Sequence, residues 1–258
     1  MRIHKAILKA ANTLISTALL LALCLAGAYA VYALWDNNRV YAAAEDVQAD
    51  MIKLKPNIAP AEDEEEEGAS FAELLAINPD VCAWITMDNT GIDYPVLQGE
   101  TNHTYINTDV YGNFALAGSI FLDSRNDNTF SDTYSLLYGH HMDNSRMFGD
   151  LDLYKEEKFF HENRTGTLIL PDRAYNLEII SCLLVPASED NIFEPLRWQG
   201  DIDELLEFIE QNAMYFHEDV LENIAQSQEE VQILALSTCS SEYTDARTII
   251  LTVMRPYS

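Results

Sequence analysis

Between Ala10 and Trp35 the chain runs for 26 residues without a charged side chain. As a helix this stretch is about 39 Å long, more than the roughly 30 Å of a bilayer's hydrocarbon core. Arg2, Lys5 and Lys9 precede it. All 42 acids and the other 12 of the 15 bases follow it, so residues 36–258 carry a net charge of −30. The positive-inside rule places the N-terminus in the cytoplasm and the remainder outside the cell membrane. A cleaved signal peptide ending at Ala28-Tyr29-Ala30 is the competing reading. The apolar run continues through Val31, Tyr32, Leu34 and Trp35, beyond the roughly 7–15 residues of a signal core, which favours a single uncleaved anchor over residues 1–35. Under either reading the working part lies outside the membrane.

The acidity of that working part excludes a nucleic-acid partner, because affinity for phosphate backbones rests on Lys and Arg. The four cysteines, Cys24, Cys82, Cys182 and Cys239, form no CxxC pair and adjoin no His-rich tract, so no structural zinc site is expected. No 20–50-residue repeat is visible, which removes solenoids and propellers. With 258 residues, 48% of them hydrophobic, the chain can bury a substantial core in one to two domains.

After the anchor, Val40, Ala44, Val47, Met51 and Leu54 recur at helical spacing until Pro56, predicting a short amphipathic stalk helix. Six consecutive acids, Glu62 to Glu67, repel one another and read as a solvated linker. Residues 36–69 are therefore stalk and linker. The folded domain, 70–258, is expected to open at Ser70-x-x-Glu73, which has the form of a capping box. Within it, short runs rich in Ile, Val, Leu and Tyr predict strands at Trp84–Met87, Tyr94–Leu97, Ser119–Leu122, Ser135–Tyr138, Thr167–Leu170, Leu177–Val185, Val231–Leu236 and Thr248–Met254. Helices are predicted from Met147 to about Glu162 and from Asp201 to about Phe216. About eight strands with few helices make a mostly β barrel or sandwich.

Two strands run into reactive residues. Leu136-Leu137-Tyr138-Gly139 ends in His140 and His141; Leu234-Ala235-Leu236-Ser237-Thr238 ends in Cys239, with Arg247 eight residues further on. A thiolate is a strong nucleophile, an imidazole moves protons near neutral pH, and a guanidinium can stabilise an oxyanion. Together they could perform acyl transfer. A lone cysteine is, on composition, more often a small buried hydrophobe.

Several segments decide between these readings. Tyr138-Gly139-His140-His141-Met142, Met147-Phe148-Gly149-Asp150-Leu151 and Leu236-Ser237-Thr238-Cys239 with Arg247 resemble a sortase, specifically one of class B. The likeness covers about residues 70–258 and includes Asn78-Pro79-Asp80, Tyr94-Pro95-Val96-Leu97-Gln98-Gly99 and Gly118-Ser119-Ile120-Phe121-Leu122-Asp123. The resemblance implies an eight-stranded β-barrel with peripheral helices, and a cysteine transpeptidase whose chemistry needs no metal or other cofactor. It makes Cys239 the nucleophile, His140 the proton carrier and Arg247 the group that orients substrate and stabilises the oxyanion. It implies sorting-signal-bearing secreted proteins as substrates and, as the incoming amine, a peptidoglycan precursor or a pilin lysine. Ala235 departs from the family's pattern, which has Thr there; the change touches strand packing more than chemistry.

Other residues have plainer readings. His141 neighbours His140 on extended chain and points the opposite way, as a rim or structural residue. His103, His161 and His217 read as surface or packing histidines, and Cys82 and Cys182 as buried hydrophobes whose pairing is open. Ser237 and Thr238 either contact substrate or shape the strand end. Arg146, in a polar turn, reads as solvated. A papain-like protease would place its Cys before its His, the reverse of this chain. A non-enzymatic adhesin or pilin would be expected to end in a sorting motif, apolar helix and basic tail, and the ending Thr252-Val253-Met254-Arg255-Pro256-Tyr257-Ser258 has none.

Overall fold

Strand pairing in the computed structural model closes on itself. The structure describes residues 2–57, 71–200, 202–227, 230–238 and 246–257. Eight strands make the ring: β1 (Val81–Met87), β2 (Asp93–Leu97), β3 (Ile120–Leu122), β4 (Tyr134–Gly139), β7 (Thr165–Ile169), β8 (Ala174–Pro186), β10 (Gln232–Thr238) and β11 (Ala246–Pro256). Their order is β11-β10-β4-β3-β2-β1-β7-β8, and β8 pairs again with β11. Closure removes the open edges that a sheet would otherwise expose. The pairs β2–β3 and β4–β10 are parallel and the other pairs of the ring antiparallel. Each of the eight predicted strands falls on one of these, and the fold is the expected eight-stranded barrel with helices around it. Two-residue strands β5 (His141–Met142) and β6 (Arg146–Met147) form a hairpin after β4, and β9 (Tyr215–Phe216) adds to β8.

The chain divides into two compact units, Met1–Ala43 and Ala44–Ser258. Helix α1 (Arg2–Ile52) is a single helix, so the predicted stalk helix continues the apolar one without a break. Residues 3–35 of α1 are exposed, and it is long and apolar enough to be a candidate membrane span. In the second unit, the last turns of α1 join the core. Met51 is buried with Phe71, Leu74, Val81, Trp84 and Leu97, and Gln48 Nε2 donates to the Gly91 carbonyl at 3.0 Å. Lys55 pairs with Asp93 at 2.9 Å, and α2 (Phe71–Ile77) follows. Ser70, the expected cap, lies outside the described residues.

Two predicted helices are corrected. The segment from Met147 to Glu162 is not one helix. Met147 sits at φ 51 in β6, a 3-10 turn spans Gly149–Lys155, and only α3 (Glu157–Glu162) is α-helical. A left-handed backbone at Met147 turns the chain away from a helix at its first residue. After α4 (Asp190–Phe193), the second predicted helix is α5 (Asp203–Asn212); Asp201, its expected cap, lies outside the described residues. Ala213 is extended at ψ 142, which lets Met214 donate to the Cys182 carbonyl at 2.9 Å and Tyr215–Phe216 pair with β8. Helix α6 (Glu218–Ala225) was not predicted. Its Val220, Leu221 and Ile224 join Leu205, Leu206 and Ile209 of α5 over Ile180, Leu183, Ile249 and Leu251 of the barrel wall.

Candidate active site

The parallel pairing of β4 with β10 sets Ser237 opposite Tyr138 and Thr238 opposite Gly139. His140 is the next residue after Gly139, and Cys239 the next after Thr238. Cys239 itself lies outside the described residues. On the other side of β10, Ser237 pairs with Ile249 of β11, two residues beyond Arg247. Arg247 is half-buried and pairs with Val185 of β8. Three strand ends that carry, or immediately precede, the predicted triad therefore lie side by side at one end of the barrel.

Close packing positions the histidine. A Cβ at Gly139 would lie 2.8 Å from the Phe148 ring, so only glycine admits this approach. Phe148 N in turn donates to the His140 carbonyl at 3.0 Å. The His140 ring is half-buried, with Nε2 2.6 Å from the Ile106 carbonyl. A carbonyl only accepts, so this contact places a proton on Nε2.

The two hydroxyls before Cys239 are used inside the fold. Ser237 is fully buried and its Oγ donates to the Thr238 carbonyl at 3.3 Å; Thr238 is 3% exposed and its Oγ1 accepts from Thr248 N at 3.3 Å. Ala235 is fully buried between its register partners Leu136 and Leu251, a packing position.

His141 is exposed and its Nε2 lies 3.1 Å from Asp152 Oδ2. The bond to Asp152 raises its pKa above the ordinary histidine value. Asp152 also accepts from Lys155 Nζ at 2.8 Å and from Thr248 Oγ1 at 2.6 Å, and these partners hold its carboxyl well below the usual carboxylate range despite partial burial. Neither Asp152 nor Thr248 stood out in the sequence. One aspartate among 42 acids carries no signal, and Asp152 fell in a segment predicted as helix.

Arg146 is not solvated: it pairs with Glu45 of α1 at 2.9 Å. Cys82 and Cys182 are buried free thiols, and burial pushes each up to about 12, which leaves them protonated and unreactive. His103 and His161 are exposed and His217 is buried against Phe160. Among the described residues no cluster of His, Cys, Asp and Glu could hold a metal ion.

No family model matches the chain. Among curated proteins, Sortase B of Listeria monocytogenes is 31% identical over 180 residues, covering 69% of this chain and 71% of the relative. Sortase B of Staphylococcus aureus is 26% identical over 211 residues, covering 82% and 84%. Among solved structures, a Streptococcus pyogenes class B sortase involved in pilus biogenesis superposes with a TM-score of 0.65 at 37% identity, covering 74% of this chain and 100% of that one. A mutant form of Clostridium perfringens sortase B gives 0.62 at 28%, covering 71% and 85%. A closed barrel of this strand order, matched over most of its length by these proteins, makes the chain a class B sortase, a sortase-type transpeptidase.

Proposed function

We propose that this sortase cleaves a C-terminal sorting signal of secreted proteins after Thr and transfers the acyl group to an amine of a cell-wall precursor. The Cys239 thiolate attacks the Thr carbonyl carbon, and the C–N bond breaks as His140 protonates the departing amine. The resulting thioester is attacked by the incoming amine, which gives a proton to His140, and the Cys239 thiolate leaves. Arg247 donates to the oxyanion of both tetrahedral species and orients the substrate. Ser237 and Thr238, given their burial, act by shaping the end of β10 beneath the nucleophile. Residues 1–35 anchor the enzyme with its N-terminus in the cytoplasm, residues 36–69 span the stalk and linker, and residues 70–258 work outside the cell.

The observation that carries this reading is the Gly139–Thr238 register, which sets the residue before His140 beside the residue before Cys239. Incubating the full chain with a sorting-signal peptide and measuring intact mass tests it. A thioacyl adduct is expected on the wild-type chain and none on Cys239→Ala; an adduct on the variant would defeat the assignment. A second reading, with a pilin lysine as the amine, draws support from the 37% identity to the pilus-biogenesis sortase. Competition between a lysine-bearing pilin peptide and a peptidoglycan-type amine for the acyl group separates the two.

A further inference from the structure

One carboxylate ties together the segments on both flanks of the strand-end cluster. Asp152, in the 3-10 turn after the hairpin, accepts from His141 Nε2 through Oδ2 at 3.1 Å and from Thr248 Oγ1 through Oδ1 at 2.6 Å. His141 is one peptide bond from His140. Thr248 is one peptide bond from Arg247, and its backbone N reaches Thr238 Oγ1 at 3.3 Å. Lys155 places a cation on Oδ2 at 2.8 Å, and the Asp143 carboxylate of the hairpin also raises the pKa of His141. Thr248 is 4% exposed and Asp152 half-buried, so the bond between them is partly shielded from water. A charge-assisted bond there is stronger than one between neutral groups.

We propose that Asp152 is a positioning residue that holds the His140 segment in register with the strand ends bearing Thr238 and Arg247. The inference rests on the triad proposed above. Displacing a reacting group by about 1 Å can cost on the order of a hundredfold in rate. A carboxylate that spans the hairpin, the 3-10 turn and β11 fixes that spacing without touching substrate.

The test uses the full chain in detergent micelles, with a sorting-signal peptide as substrate. Asp152→Asn keeps the shape and removes the charge. A kcat loss of about 10–100-fold is expected, with KM for the peptide within twofold and the melting temperature near wild type. Thr248→Val should lose kcat similarly, Thr248→Ser should restore it, and the Asp152→Asn/Thr248→Val double variant should be little worse than either single one. In Asp152→Asn the His141 pKa, read by NMR, should fall towards the ordinary histidine value. Asp143→Asn, an exposed carboxylate of the same hairpin, is the control and should retain kcat. The inference is overturned by an Asp152→Asn kcat within twofold of wild type, or by a loss that merely follows a lowered melting temperature. In that case an inactive Cys239→Ala leaves the triad standing, whereas turnover by Cys239→Ala overturns both.

Discussion

Gly139 and Thr238 are register partners across the parallel β4–β10 pair, and each is the last residue before a side chain of the proposed triad. Parallel pairing lets both strands end at the same edge of the barrel, so two segments about a hundred residues apart in sequence finish side by side. The side-chain-free Gly139 lets Phe148 and Ile120 close over the end of β4.

Gly139→Ala tests that packing. The added Cβ would stand 2.8 Å from the Phe148 ring and press on Ile120, both held in a filled core. Overpacking of this kind costs about 1–3 kcal/mol. Because Phe148 N also bonds the His140 carbonyl, relief of the clash must move the histidine. Activity per folded molecule should therefore fall further than the melting curve alone implies. A variant with normal turnover would show that this end of β4 tolerates displacement.

The two adjacent histidines should separate by rate. His140→Ala removes the proposed acid–base group, a contribution of about 10²–10⁴-fold. His141→Ala cuts the bond by which Asp152 holds the His140 segment and leaves those from Thr248 and Lys155, so its loss should match the roughly 10–100-fold of Asp152→Asn and stay below that of His140→Ala. Steady-state turnover of the same peptide by both variants settles the order, and a reversed ranking would move the catalytic role to His141.

The barrel was legible because its strands are short apolar runs bounded by turn residues, and that signal is local. The His140, Cys239 and Arg247 segments were legible because they resemble a family. The segment from Met147 to Glu162 misled because Met147, Leu151 and Tyr154 are buried at i, i+4, i+7, a helical spacing, while the left-handed Met147 and the 3-10 turn leave no trace in that pattern. The Asp152–Thr248 bond joins residues 96 apart, and polar pairs of that kind have no periodicity to reveal them.

Met51→Ala examines how far the fold reaches into the helix predicted as a stalk. Met51 is 2% exposed and packs in the cluster with Trp84 and Leu97. Truncating a buried Met costs about 2–5 kcal/mol. Denaturant unfolding of the full chain should show that loss, with turnover of the folded fraction little changed. A shift well under 1 kcal/mol would mean these turns of α1 contribute little to the unit they join.

Arg247→Lys should lose activity by more than about tenfold, because Lys offers a compact point charge where a planar fork is required. Circular dichroism and melting should stay near wild type. Arg146→Lys is the comparison: its partner Glu45 is largely exposed, and such pairs contribute little. If both variants turn over peptide as the wild type does, Arg247 is not catalytic and the site reduces to a Cys–His pair.

Stability between pH 4 and 6.5 should depend on His217. It is 5% exposed, its Nε2 has no hydrogen-bond partner among the described residues, and the ring stacks on Phe160 at 4.4 Å. Burial lowers its pKa to about 4, with Arg164 and His161 adding to the effect and Asp219 opposing it. The unfolded chain takes up a proton near pH 6.5 that the folded chain refuses until about pH 4. The contribution is therefore fully present above pH 6.5 and is lost as pH falls through that window, a change on the order of 2–3 kcal/mol. Depressed carboxylates such as Asp123 and Asp152 withdraw their contribution only below the ordinary Asp value of 3.8, and the raised His141 acts in the opposite sense, losing its contribution as pH rises. Denaturant midpoints of the full chain at pH 7 and pH 4.5 should differ more for wild type than for His217→Gln. Equal differences would mean that His217 is protonated in the folded chain at its ordinary pKa.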